Sequence, residues 1–227
     1  MLGIRTKIKD VLQKKYTKSF SQMGEDLVVA FLLKNLEIKN PFYLDIGAND
    51  PIAFSNTYQF YLNGGSGICV EPNPTLVRSH KSKRSKDTII QAGISHEETT
   101  LADYYVMNWH EFNTFDKTQA EQVEKNYEGR NDILSVEKIK LISVDNLLEQ
   151  HVKNNAIDFL SLDVEGFDLK ILQAWDFINH APKIICVEIY DPKLKEKNNE
   201  IHELLIDKNY KMAAQNPING IYVLDGL

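Results

Sequence analysis

The chain has 227 residues, 43 % hydrophobic and 26 % charged, the make-up of one globular α/β domain with a full-sized core. Its formal charge of −6 argues against a general nucleic-acid binder, which displays a net basic surface, although a local basic patch stays open. Two cysteines, Cys69 and Cys186, lie in apolar runs without CxxC spacing, so they read as core thiols rather than a zinc site. No secretory apolar region or long apolar span is visible, and a cytoplasmic location is expected.

Residues 1–20 carry Arg5, Lys7, Lys9, Lys14, Lys15 and Lys18 against the single acid Asp10. Leu2, Ile4, Ile8, Val11 and Leu12 recur at helical spacing, which predicts a basic amphipathic helix. It is expected to serve as a packing or dimer contact, with peripheral contact to an anionic membrane as the alternative. A helix over Gly24–Asn35 follows, then a buried strand over Phe42–Ile46 that stops at Gly47. Ser55–Leu62 has a helix-like pattern. Ile68–Val70 is a second strand ending on Glu71, and Pro74 to about Ser82 is a helix. The basic run Arg78–Lys86 then reads as a solvated helix end, and His80, His96, His151, His180 and His202 as solvated histidines. Thr88–Gln91 is the third strand, leading into Ala92-Gly93-Ile94-Ser95.

Thr100–Met107 and Lys138–Ser143 are β-like and are expected to pair as additions at the sheet edge. Between them, residues 108–134 are polar and aromatic-rich, with Trp109, His110, Phe112 and Phe115, and read as an acceptor-binding lid. Helices over Val144–Val152, Phe167–Ala174 and Leu194–Lys208 alternate with strands over Ile157–Leu162 and Lys183–Ile189. Tyr210–Ala214 and Ile221–Leu224 flank the turn-rich Asn216–Gly220, which predicts a hairpin and hence an antiparallel last strand. Residues 21–227 are thus expected to form one domain with an insertion at about 108–134.

In such folds the turn leaving the first strand is a ligand site, and an acid ending the second accepts ribose hydroxyls. Gly47 lets the backbone approach a ligand, Asp45 offers an acceptor, and Glu71 is placed for the ribose. The run Gly47-Ala48-Asn49-Asp50-Pro51 lacks the further glycines of a dinucleotide site, and Asp50 would repel a pyrophosphate. A ribose-bearing cofactor without phosphate fits better, and S-adenosylmethionine is the common one.

The sequence resembles the FkbM family of S-adenosylmethionine-dependent methyltransferases from about Ser21 to the C-terminus. The resemblance rests on Ser21-Gln22-Met23-Gly24-Glu25-Asp26, Leu44-Asp45-Ile46-Gly47-Ala48-Asn49, Val70-Glu71-Pro72-Asn73, and Ile157–Gly166 with its Asp163-x-Glu165-Gly166 ending. It departs from the family at Ser161, where a lysine is frequent, and at Asp50-Pro51. It implies an α/β class I methyltransferase (Rossmann-like) fold, with a mostly parallel sheet and an antiparallel C-terminal hairpin strand. It also implies cofactor contacts from Gln22, Asp45, Gly47, Ala48, Asn49, Glu71, Pro72, Asn73, Ser95 and Asp163, with Asp26 near the cofactor or acceptor.

Asp163 and Glu165 can project to one side of a strand end, and Glu188 ends the next strand, about 4.8 Å away between strand axes, with Asp191 following it. Three readings stand: cofactor and acceptor contacts with one carboxylate as base, a divalent-cation site with Glu188, or helix caps before Gly166. The cation is not favoured, since no histidine or further acid is fixed by spacing. His110 is a second candidate base, against a plain surface histidine. The resemblance implies O-methylation of sugar hydroxyls, nucleotide-linked sugars of capsule or other surface polysaccharide biosynthesis first, or of specialised metabolites. The rivals are a non-catalytic adenosine-ligand module and a nicotinamide-dependent oxidoreductase.

Overall fold

A computed structural model describes residues 17–97, 101–164, 166–191, 196–197 and 199–227. The helix predicted over 1–20 therefore falls almost wholly outside the described residues. The Phe42–Ile46 run forms β1, paired in parallel with β2 (Ser66–Val70) on one side and β7 (Phe159–Leu162) on the other. The next neighbours are β3 (Thr88–Ile90) beyond β2 and β8 (Ile184–Glu188) beyond β7. The hairpin β11 (Tyr210–Gln215) and β12 (Asn219–Leu224) completes the sheet, with β12 antiparallel to β8. The resulting order is β11-β12-β8-β7-β1-β2-β3.

Side chains alternate across this sheet, so each face has its own core. Leu44, Ile46, Val70, Leu160, Leu162 and Val187 face one way, and Tyr43, Cys69, Phe159, Ile184 and Cys186 the other. The first face is covered by α5 (Val144–Leu147, continued by a π turn at Leu148–Val152), α6 (Asp168–Gln173) and α7 (Asn199–Asp207). The second is covered by α1 (Glu25–Asn35), through Val29 and Leu33, and α2 (Tyr58–Leu62), through Phe60. Helix α3 (Pro74–Lys83) connects β2 to β3. Cys69 and Cys186 are buried free thiols, as expected.

Several sequence expectations need correction. The helix expected over Ser55–Leu62 begins only at Tyr58, because Ser55 Oγ accepts the N–H of Thr57 and of Tyr58 and holds a turn there. The final helix starts at Asn199 instead of Leu194, and Glu196–Lys197 (β10) pairs with Tyr190–Asp191 (β9) as a small two-stranded sheet. The strand after the insertion is longer than expected: β6 runs over Ile133–Ser143 and pairs with β5 (Leu101–Met107). The segment joining β5 to β6, expected as an insertion over 108–134, is therefore 108–132. With β4 (Gly93–Ser95), these strands form a separate three-stranded sheet, not an extension of the main one. Among the described residues, no helix is long and apolar enough to cross a membrane.

Candidate active site

The site is built at the carboxyl ends of β1, β2 and β7. Gly47, at φ +81°, has no room for a side chain: a Cβ there would fall on the carbonyl oxygen of Asp163. The first loop and the loop after β7 thus touch backbone to backbone, and the Asp163 N–H donates to Ile46 O at 3.0 Å. The N–H groups of Gly47 and Ala48 both reach Val70 O, at 3.0 and 3.1 Å.

Glu71 joins the loops after β1 and β2. One carboxylate oxygen accepts the Asn49 N–H at 2.9 Å, and the other the Asn73 N–H at 2.6 Å. It is 3 % exposed, and burial pushes its pKa up to about 7, against the opposing pull of those two N–H groups. Asn49 is left-handed at φ +48°, and its side-chain Oδ1 is buried without a hydrogen-bond partner among the described residues. Asn73 caps α3 by accepting the Thr75 N–H at 2.9 Å, between buried Pro72 and Pro74 at the first helical turn. Ser95 Oγ accepts the Glu97 N–H at 3.1 Å. The Asp45 carboxylate accepts from Thr57 Oγ1 and is 4 % exposed; burial raises its pKa and nearby Arg84 opposes the shift.

Two readings of polar helix residues are overturned here. Arg84, taken as part of a solvated helix end, is 1 % exposed and forms an ion pair with Asp87 at 2.7 Å. His80, taken as solvated, is equally buried, and its Nε2 lies 2.9 Å from the Asn49 carbonyl. The carbonyl can only accept, so Nε2 carries the proton, and burial lowers the pKa of the ring.

At the end of β7, Asp163 is exposed, and Glu165 lies outside the described residues. Asp168, which the sequence reading passed over, is 3 % exposed and accepts the N–H of Val164 at 3.2 Å and of Gly166 at 3.3 Å. Burial, then the charge of Asp163, raises its pKa to about 7. Ser161 accepts from Asn56 Nδ2 at 3.1 Å, which ties the loop after β1 to β7 a second time. Glu188 ends β8 opposite Asn219, while Asp191 belongs to β9.

At the start of α1 it is Ser21 that serves the helix end, its Oγ accepting the N–H of Gly24 at 3.1 Å and of Asp26 at 3.3 Å. Asp26 accepts from Ser19 Oγ, Phe20 N and Ser21 Oγ at 2.7, 2.7 and 2.9 Å. Glu25, also missed in sequence, accepts from Asn216 and Asn219 at 2.7 Å each, which docks the motif on the C-terminal hairpin turn. Gln22 stays exposed.

The insertion contains a 310 turn (His110–Phe112) and α4 (Lys117–Asn126). Trp109, Phe112 and Tyr127 cluster with ring centroids 5.5 to 6.2 Å apart. His110 sits in that turn with Nδ1 3.8 Å from Glu111. Phe115 lies against Tyr104 at 4.7 Å and fills the space beside Gly93, fixing the insertion to the chain leaving β3. Among the described residues, no cluster of three His, Cys, Asp or Glu side chains is placed to hold a metal ion.

A mostly parallel sheet of this order, an antiparallel penultimate strand β12, a glycine turn after β1 and an acid ending β2 define a class I, S-adenosylmethionine-dependent methyltransferase. The family model for the FkbM methyltransferase domain matches residues 45–212, and the chain belongs to that family. No curated protein matches the chain by sequence. Among solved structures, it is similar to a methyltransferase FkbM from Methylobacillus flagellatus KT (11 % identity, 82 % of this chain, TM-score 0.44), and it spans only 44 % of that protein. It is also similar to a TehB-like SAM-dependent methyltransferase from Corynebacterium glutamicum ATCC 13032 Kitasato (6 % identity, 98 % and 97 % of the two chains, TM-score 0.45). A third is the magnesium protoporphyrin IX methyltransferase from Synechocystis PCC 6803, solved with bound SAM (11 % identity, 88 % and 78 % of the chains, TM-score 0.44).

Proposed function

We propose that the chain methylates a hydroxyl of a sugar, a nucleotide-linked sugar of surface-polysaccharide assembly ahead of a specialised metabolite. The observation that carries the reading is the Gly47–Asp163 backbone contact, which brings a residue with an exposed carboxylate against the turn assigned to the cofactor.

The residues present suit S-adenosylmethionine. Glu71 uses two of its roughly four acceptor positions on backbone N–H groups, which leaves capacity for two ribose hydroxyls. Asn49 Oδ1, unpartnered among the described residues, offers a further acceptor, and Gly47, Ala48, Pro72, Asn73 and Ser95 line the adjoining turns. When bound, the cofactor supplies an activated methyl group. Asp163 accepts the proton of the acceptor hydroxyl, with Glu165 orienting that hydroxyl and Asp168 holding the loop through its two N–H bonds. Trp109, 40 % exposed, packed at a tilt on Phe112 and edge-on to Tyr127, offers an aromatic face to a sugar ring. His110, in the same turn, is the second candidate base.

The test is a methyl-transfer screen over nucleotide sugars and free hydroxylated metabolites, with products weighed by mass spectrometry. Gain of one methyl on a sugar hydroxyl supports the reading. Cofactor binding with no transfer to any acceptor would favour the non-catalytic module, and tighter calorimetric binding of NAD than of S-adenosylmethionine would favour the oxidoreductase.

A further inference from the structure

We propose that Arg84 is a positioning residue for the cofactor pocket, holding the loop over residues 47–57 in its binding shape through Thr57, Ser55 and Pro51. This deepens the methyltransferase reading and rests on the placement of the cofactor at residues 47–49 and 71.

The loop needs a brace. Asn49 and Phe54 are non-glycine residues at φ +48° and +56°, conformations that persist only where surrounding structure holds them. Arg84 supplies it from the far end of α3. Its Nη2 donates to Thr57 Oγ1 at 2.9 Å, and Thr57 Oγ1 in turn donates to Asp45 at the end of β1. Its Nη1 lies 3.3 Å from Ser55 Oγ and 3.5 Å from the Pro51 carbonyl. Its Nε is fixed by Asp87, which also accepts from Tyr43 OH at 2.7 Å and Gly67 N at 3.0 Å. The guanidinium therefore spans from the start of β2 to the loop that leaves β1. Apolar packing would serve stability alone at least as well as a buried ion pair, whereas a planar fork fixes direction. One turn earlier on the same helix, His80 holds the Asn49 carbonyl, so α3 grips the loop twice.

The test compares Arg84→Met, Arg84→Lys, Thr57→Val and Thr57→Ser, with calorimetric binding of S-adenosylmethionine and S-adenosylhomocysteine read beside the melting temperature. Thr57→Val keeps the side-chain shape and should fold even if Arg84→Met does not. Arg84→Met and Thr57→Val should weaken cofactor binding by the folded protein by about tenfold or more. Thr57→Ser, which keeps the hydroxyl, should restore it, and Arg84→Lys should fall between. A purely structural role would lower the melting temperature and leave the affinity of folded Thr57→Val unchanged, which would overturn the proposal. If the unsubstituted protein bound neither ligand, the cofactor reading would fall first.

Discussion

Gly47 and Asp163 share one volume: the carbonyl oxygen of Asp163 occupies the place where a Cβ on Gly47 would stand. The turn assigned to the cofactor and the loop assigned to the chemistry are therefore one mechanical unit. Displacing either moves the other.

Gly47→Ala should consequently fail twice. The residue is at φ +81°, which penalises any Cβ, and the clash is with backbone, which cannot rotate away. A loss of at least about 2–3 kcal/mol of stability is expected, with cofactor binding lost alongside. Denaturant unfolding and calorimetry would show both; a folded protein with native affinity would contradict the close contact.

Glu71 should matter for fold as well as ligand. From sequence it reads as a cleft carboxylate, but it bridges Asn49 and Asn73 through their N–H groups. Glu71→Ala is expected to cost about 1–3 kcal/mol of stability and a similar amount of cofactor affinity. Its folded pKa of about 7 lies above the ordinary 4.5, so its stabilising contribution is full below about 4.5 and is lost as pH rises through about 7. Ribose hydroxyls donate to the ionised form, so binding should release a proton on the acid side of neutrality and tighten as pH rises through about 7. Glu71→Gln should flatten that dependence, read by calorimetry in buffers of differing ionisation enthalpy. An unchanged proton release would place it on another group.

Replacing residues 108–132 by a short Gly/Ser link between β5 and β6 should remove turnover while leaving cofactor affinity within about threefold, since acceptor positioning alone is lost. The deletion also frees the space that Phe115 fills beside Gly93, so the melting temperature should be read alongside. Full activity toward the native acceptor would make the insertion irrelevant to specificity.

Asp163→Asn and Glu165→Gln keep shape and remove charge, so the rate should fall about a hundredfold or more with stability nearly unchanged. Asp168→Asn should also slow turnover through the loop and, because that loop touches the Gly47 turn, weaken cofactor binding with it. EDTA should have no effect on the wild-type rate. Inhibition by EDTA, reversed by magnesium or manganese, would instead assign the carboxylates to a cation.

The strands that carry the site were legible because they are short apolar-rich runs ended by a marker: Phe42–Ile46, interrupted only by Asp45, ends at Gly47, and Ile68–Val70, the apolar part of Ser66–Val70, ends at Glu71. Arg84 was not, because it stands among Arg78, Lys81, Lys83 and Lys86 and a charge run reads as solvated. The available signal was the helix face: Leu76, Val77, His80 and Arg84 recur at helical spacing, and all four are buried. Asp168 was hidden by the more conspicuous Asp163 and Glu165 just before it. The partners of Glu25 lie at Asn216 and Asn219, at the opposite end of the chain, and no local pattern joins them. The start of β6 was missed because Ile133 and Leu134 adjoin polar residues on their N-terminal side.

The two cysteines offer a use that neither binding nor catalysis does. Register places Cys69, Asp45, Ser161 and Cys186 in one row across β2, β1, β7 and β8. Three strand spacings, about 14 Å, separate the thiols, too far for a disulfide. Cys69 and Cys186 are 0 % and 1 % exposed, and burial raises both thiol pKa values, so alkylation has to wait for the sheet to open. Cys69 lies 3.8 Å from Asp87, inside the Arg84 network, whereas Cys186 lies on β8 in the other half of the sheet. Their separate labelling rates would time the two halves as independent clocks in the unmodified protein, and a bound ligand should slow the Cys69 clock more than the other.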